Sequence, residues 1–247
     1  MDKTALQAIT LLIGLLNLQP CIAETDPAKI PILGKTTSQS TQQKMTPKQA
    51  LLRLKEGNQR FLNNSLIRRD YLKQAKLSSY GQYPFAVVLN CMDSRSVPEF
   101  IFDQGLADLF TLRVAGNVLN DDILGSMEYA TKVVGSRLIV VLGHTSCGAV
   151  SSACSGVELG HITDILNKIQ PQVKPTMKSM QLDNCKDNQL IDGIAKANAL
   201  AVMKEIQEKS PIIKNMVESG QIGIVAGIHD IKTGKVMFFE DGRSVPG

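Results

Sequence analysis

Four apolar runs constrain what this chain can fold into. They are Phe85–Leu89, Leu109–Val114, Arg137–Leu142 and Ile222–Ile228. The first is apolar at every position, and the others are nearly so. A strand apolar on both sides must be covered on both faces, which is the condition of a parallel sheet sandwiched between helices. The intervening segments supply those helices. Thr46 with Gln49 three residues on reads as a capping box, with Pro47 at the first helical position and Leu51, Leu54 and Phe61-Leu62 at helical spacing. Asp121 or Asp122 is expected to cap a helix running to about Val133. Further helices are expected over Leu159–Lys168 and Gln189–Lys209. Lys232-Thr233-Gly234-Lys235 reads as a hairpin turn into a fifth strand, Val236–Glu240.

The two ends of the chain differ in character. Met1-Asp2-Lys3 precedes an apolar stretch, Ala5–Leu18, and then Pro20-Cys21-Ile22-Ala23. That order is the pattern of a secretory signal peptide over residues 1–23, with cleavage after Ala23, and the run is short for a membrane span. Cleavage would leave a periplasmic or secreted chain with no membrane attachment. A lipoprotein reading at Cys21 ranks lower, because Pro20 is a poor residue directly before a lipidated cysteine. Residues 24–45 are rich in Thr, Ser, Gln and Pro and are expected to form a disordered linker or N-terminal arm. The domain is then residues 46–247. The formal net charge is +4, but basic residues are scattered and aromatics few, so no nucleic-acid surface is expected.

Ligands of an open parallel sheet bind beyond the carboxyl ends of its strands. Two short clusters fall there: Cys91-Met92-Asp93-Ser94-Arg95 after the first run, and His144-Thr145-Ser146-Cys147-Gly148 after the third. Cys and His are the usual zinc donors, and three protein donors are the number found at catalytic rather than structural sites. Each cluster alone is a weak motif. A buried Cys is commonly a small hydrophobe. In an exported protein Cys91 and Cys147 could instead form a disulfide. Asp93 and Arg95 could be a structural ion pair.

Taken together, Cys91-x-Asp93-Ser94-Arg95 and His144-x-x-Cys147 resemble the zinc signature of β-class carbonic anhydrases. The resemblance runs from about Thr46 to Val236. It includes Leu54-Lys55-Glu56-Gly57-Asn58-Gln59-Arg60-Phe61, Arg113-Val114-Ala115-Gly116-Asn117, Glu128-Tyr129-Ala130 and Gly227-Ile228-His229-Asp230. It implies an α/β fold: a four-stranded parallel sheet flanked by helices, with a fifth antiparallel strand. It implies one Zn2+ per subunit on Cys91, His144 and Cys147. The reaction would be reversible hydration of CO2 to bicarbonate and a proton, with zinc-bound hydroxide attacking CO2 and the Asp93–Arg95 dyad orienting it.

The resemblance also assigns Gln82 to substrate or bicarbonate from a facing subunit. Phe110, Ala115 and Tyr129 would wall the CO2 pocket, with Gly116 allowing close backbone approach and Gly148 giving an amide contact to nearby groups. Ordinary core packing or turn formation would account for these residues equally well. It implies a homodimer or tetramer with active sites at the subunit interface. In some relatives Asp93 would swing onto the zinc as a fourth ligand in a closed state. Members regulated by bicarbonate carry a Trp and a Tyr where this chain has Val88 and Ala226, with only Arg113 matching, so the open paired state is expected here. The alternatives are a carbonyl sulfide or carbon disulfide hydrolase, a non-catalytic zinc-binding homologue, and a redox protein using Cys91 and Cys147. His161 and His229 are not expected to be ligands. Cys154 reads as core, although it could pair with Cys185 in an oxidising compartment.

Overall fold

The computed structural model describes residues 32–239 and the backbone of 240, 243 and 244. The signal-peptide, cleavage and lipoprotein readings, with Cys21, lie outside the described residues.

In chain order the elements are α1 (Gln39–Lys44), α2 (Pro47–Leu62), α3 (Tyr71–Ser78), β1 (Ala86–Asn90), α4 (Pro98–Ile101), β2 (Leu109–Arg113), α5 (Asp121–Glu128) and β3 (Leu138–His144). They continue as α6 (Gly148–Cys154), α7 (Ile162–Ile169), α8 (Val173–Met180), α9 (Asn188–Lys209), α10 (Pro211–Glu218), β4 (Gly223–His229), β5 (Val236–Glu240) and β6 (Arg243–Ser244). One sheet runs in the order β2-β1-β3-β4-β5-β6. The first four are parallel, and β5 pairs antiparallel with β4. This is the expected four-plus-one sheet, with the two-residue β6 added at its edge.

The continuous apolar runs have a direct explanation in the packing. Successive strand residues point to opposite faces. Val87, Leu89, Ile139, Val141, Ala226 and Ile228 pack in a cluster with residues of α6, α7, α9 and α10. Ala86, Val88, Leu138, Val140, Leu142 and Val225 pack on the other side with Leu51 and Leu54 of α2. Every residue of β1 and β3 is therefore buried.

Polar clamps fix how α2 and the hairpin sit. Asn58 is 4% exposed. Its Nδ2 donates to Ile101 O at 3.1 Å and Gly234 O at 2.9 Å, while its Oδ1 accepts from Val236 N at 2.9 Å. Asp103, also buried, pairs with both Arg60 and Arg69. The Thr46–Gln49 capping box and Pro47 begin α2 as read from sequence.

Three expectations need correction. The arm is not a disordered linker in its described part, residues 32–45. Thr37 is buried against Asp108, Ser38 caps α1, and Gln42 Nε2 donates to Pro84 O at 2.8 Å. Arg137 donates to the carbonyls of Gln42 and Gln43. Polar side chains bonded to backbone hold this segment, so it shows no apolar periodicity. The helix after β2 is capped by Asn120, whose Oδ1 accepts from Ile123 N at 2.8 Å; Asp121 and Asp122 occupy the first turn. Finally, Cys154 is not plain core: it forms a disulfide with Cys185, closing a separation of 31 residues around α7 and α8.

On a chain-entropy basis a loop of that length is worth about 3–4 kcal/mol. A C154S/C185S variant should lose roughly that much in urea unfolding; an unchanged midpoint would contradict a stabilising role. Asn58→Ala should cost about 2–4 kcal/mol in the same measurement, since it strands buried backbone groups.

Candidate metal centre

Strand order determines where the site forms. From β1 the chain crosses to β2 on one side, then returns to β3 on the other. The crevice between the carboxyl ends of β1 and β3 is thus the point where the winding direction switches, the usual ligand position in open α/β sheets. Asn90 is the last residue of β1 and pairs with Leu142 of β3. Cys91 follows immediately, and His144 ends β3. Cys147 sits at the N-cap of α6.

The donor atoms of Cys91, His144 and Cys147 lie within 4.8 Å of one another. All three residues are buried, at 5%, 1% and 2% exposure. Neither thiol is in a disulfide. His144 Nδ1 lies 2.9 Å from Thr145 O, so this nitrogen carries the proton. That leaves Nε2 as a lone-pair donor, and it is buried with no hydrogen-bond partner. An orphaned imidazole nitrogen facing two thiols is what a soft or borderline metal ion such as zinc would satisfy.

The electrostatics agree. The hydrogen bond from Cys147 lowers Cys91 well below the usual thiol range against the opposing pull of burial, with help from His144 and the Gly116 amide. Cys147 is pushed up, first by the Cys91 sulfur and then by burial. Burial pulls His144 down, but the adjacent Cys91 sulfur and its charge outweigh it and the net shift is upward. The cluster thus already favours one thiolate, and the remaining acidity is what metal binding would have to displace.

Asp93 lies beside the cluster, its Oδ2 3.8 Å from His144 Nε2. Arg95 grips it at three points: Nε to Oδ1 at 3.0 Å, Nη2 to Oδ2 at 2.8 Å, and backbone N to Oδ1 at 2.9 Å. The Arg95 guanidinium holds the Asp93 carboxyl well below the usual carboxylate range. Arg113 Nη2 donates to Asp93 O at 2.6 Å.

The glycines behave differently from one another. Gly116 has φ +67°, and a Cβ there would come 2.6 Å from Ile169 Cδ1. Its amide donates to Cys91 Sγ at 3.4 Å. At Gly148 a Cβ would meet open space, so packing does not account for that glycine. Phe110 and Tyr129 line a cleft of about 600 Å3 with Leu112, Asp121, Asp122 and Ala130. Ala115 is not in that lining. Gln82 lines other grooves, one with Ala107 and Leu109 and one with Tyr83 and Arg137.

Two residues near the site were not assigned a task from sequence. Asp192 on α9 accepts from Ser146 N at 2.7 Å, fixing the turn between His144 and Cys147, where Ser146 has φ +53°. His229 is buried beside His144 in the sheet register. Burial, aided by the charge of His144, lowers it to about 4. Neither lies in a motif that announces a role; only the tertiary contact reveals it. His161 precedes α7 and is exposed, outside the cluster.

The fold and donors define an α/β protein with a Cys2His metal centre at a sheet switch point. The carbonic anhydrase family model matches residues 86–236. Carbonic anhydrase 2 of Mycobacterium tuberculosis is 34% identical over 202 residues, covering 78% of this chain and 88% of that protein. The carbonic anhydrase of Mycolicibacterium smegmatis is 34% identical over 195 residues, covering 74% and 88%. Among solved structures, the β-carbonic anhydrase CcaA superposes with a TM-score of 0.65 at 24% identity, covering 80% of this chain and 99% of that one. A tetrameric β-carbonic anhydrase of Sordaria macrospora gives 0.62 at 21%, covering 70% and 87%. The chain belongs to the carbonic anhydrase family, and its fold is that of the β-carbonic anhydrase structures.

Titration of the metal-free protein with Co2+ should produce thiolate-to-metal charge-transfer absorption at one ion per chain. Cys91→Ser, Cys147→Ser and His144→Ala should each abolish or greatly weaken it. Affinity should fall as pH is lowered, by roughly tenfold per unit for each proton displaced. A pH-independent affinity, or full binding by all three variants, would contradict the donor set.

Proposed function

We propose that this chain catalyses the reversible hydration of CO2 to bicarbonate and a proton, with Zn2+ held by Cys91, His144 and Cys147. The observation that carries this reading is the buried, convergent cluster with the orphaned His144 Nε2, flanked by an ionised Asp93. When bound, the ion would supply an activated water by lowering its pKa from 15.7 toward ~7.

The chain's own residues do the rest. Cys91 and Cys147 bring negative charge to the site, which moderates that acidification compared with an all-imidazole set. Asp93, kept ionised and directed by Arg95, accepts a hydrogen bond from the reacting water and sets the direction of its lone pair. A carboxylate engaged by Arg95 at both oxygens is held away from a ligand role. The Gly116 amide stabilises the Cys91 sulfur as thiolate. Phe110 and Tyr129 offer an apolar wall suited to CO2, and Gln82 a polar contact for bicarbonate from a facing subunit.

Assembly as a dimer or tetramer with sites at the interface follows from that use of Gln82. Tyr129 in the cleft and Val133, four residues on, are both exposed, which also favours a covering partner. Among the described residues no helix is long and apolar enough to cross a membrane. The apolar segment Ala5–Leu18 supports export after cleavage near Ala23. The Cys154–Cys185 disulfide also fits the periplasm or cell exterior, because such bonds persist in oxidising compartments. In that setting Cys91 and Cys147 need to be captured by metal before they oxidise.

Stopped-flow CO2 hydration with parallel metal analysis tests the proposal. The zinc-loaded chain should be active, and Asp93→Ala should lose about 10- to 100-fold in kcat/KM while keeping its metal. Stoichiometric zinc without hydration would overturn the enzyme reading. Unaffected hydration in the variant would overturn the role of Asp93.

A further inference from the structure

Strand β4 contributes no donor to the metal cluster, yet its last residue touches both segments that do. The backbone O of His229 accepts from Thr145 N at 3.0 Å, directly after His144. The His229 ring reaches the other way: its Nδ1 lies 3.2 Å from Ser96 Oγ. Both side chains are buried, Ser96 at 1% and His229 at 2% exposure.

Ser96 is the foot of the turn that presents the Asp93–Arg95 dyad. Its N–H donates to Asp93 O at 3.0 Å, closing the turn over Ser94 and Arg95. Its carbonyl accepts from Asn90 Nδ2 at 2.7 Å, and Asn90 is wholly buried. The upper part of the turn is open: the Arg95 side chain is 57% exposed. The turn is therefore anchored through Ser96 at its foot and through the Arg113 bond to Asp93 O at its start, while the Arg95 tip is open. A neutral imidazole and a hydroxyl can pair in either donor sense, so the bond forms whichever tautomer is present.

We infer that His229 is a positioning residue: through Ser96 it sets the height and tilt of the Asp93 carboxylate relative to the metal donors. The inference rests on the reading that Asp93 directs the reacting water. Its mechanical content is that one β4 residue locks two loops from different strands into a single register. Loss of the lock leaves the metal donors in place, since none of them hydrogen-bonds to Ser96 or to the His229 ring among the described contacts. It lets the dyad turn pivot about Asn90, and displacements near 1 Å are enough to cost large factors in rate.

The test is a double-mutant cycle on full-length protein. Ser96→Ala, His229→Leu and the double variant are compared with wild type, and with His229→Gln and Ser96→Thr, which keep a hydrogen-bonding group. Hydrogen exchange of the peptide spanning residues 91–97 is measured on the metal-free proteins. Metal content, kcat and KM are measured after zinc loading. The expected result is faster exchange in Ser96→Ala and His229→Leu, with full metal content. Their kcat/KM should fall about 5- to 20-fold, the double variant should be no worse than the lower single, and the two conservative variants should lie within about twofold of wild type. Additive losses, no rescue by His229→Gln or Ser96→Thr, or unchanged exchange would overturn it. If His229→Leu does not fold, the Ser96→Ala against Ser96→Thr comparison decides by the same criteria. A wild-type chain that binds zinc and does not hydrate CO2 would instead refute the function, while the exchange data would still decide the anchor.

Discussion

The parallel pairing of β1 with β3 is the constraint on which the rest of the structure depends. Asn90 lies opposite Leu142, so the chain leaves β1 as β3 still has two residues to run. That offset places Cys91 and His144 side by side above the sheet. Cys147 then joins them because the chain turns at Ser146 into α6. The pairing is itself a product of burial on both faces. Val87 and Leu89 pack against the α9 side, and Ala86 and Val88 against the α2 side. A one-residue slip of β1 would exchange those faces. It would also turn Cys91 away from its partners, so the same hydrophobic pattern that fixes the register fixes the donor set.

The site combines groups that are costly to bury apart. Two thiols and an imidazole in a dry crevice with an unsatisfied nitrogen leave the crevice short of positive charge. A divalent cation resolves this, and the arginines around Asp93 resolve the neighbouring carboxylate. Arg95 grips the carboxylate itself and Arg113 grips its backbone. Around this centre the supporting bonds come from elements that bear no donor: Asp192 from α9, and His229 from β4. Placement on rigid helices and strands, rather than on loops alone, is what keeps such a constellation in one geometry.

How much of this was legible in the sequence followed the kind of force involved. The sheet could be read because strands buried on both faces must be apolar throughout. The donors could be read because Cys and His stood at the ends of two such strands, and their order resembled a known signature. The packed segment over residues 32–45 could not, since Thr37 and Gln42 hold it by hydrogen bonds that leave no hydropathy pattern. Nor could the choice of Asn120 over its two acidic neighbours as helix cap, as Asn and Asp suit that position equally. The disulfide was open because Cys154 and Cys185 sit far apart in sequence, and only folding brings them together. His229 stood in a recognised motif without a task; its bond to Ser96 joins residues 133 apart.

Zinc K-edge X-ray absorption on the metal-loaded protein tests the central claim most directly, because it counts donors by element. The account predicts two sulfur scatterers at about 2.3 Å and one protein nitrogen at about 2.0–2.1 Å, the remaining scatterer being light. A first shell with fewer than two sulfurs would contradict it, because Cys91 and Cys147 would then not hold the ion together.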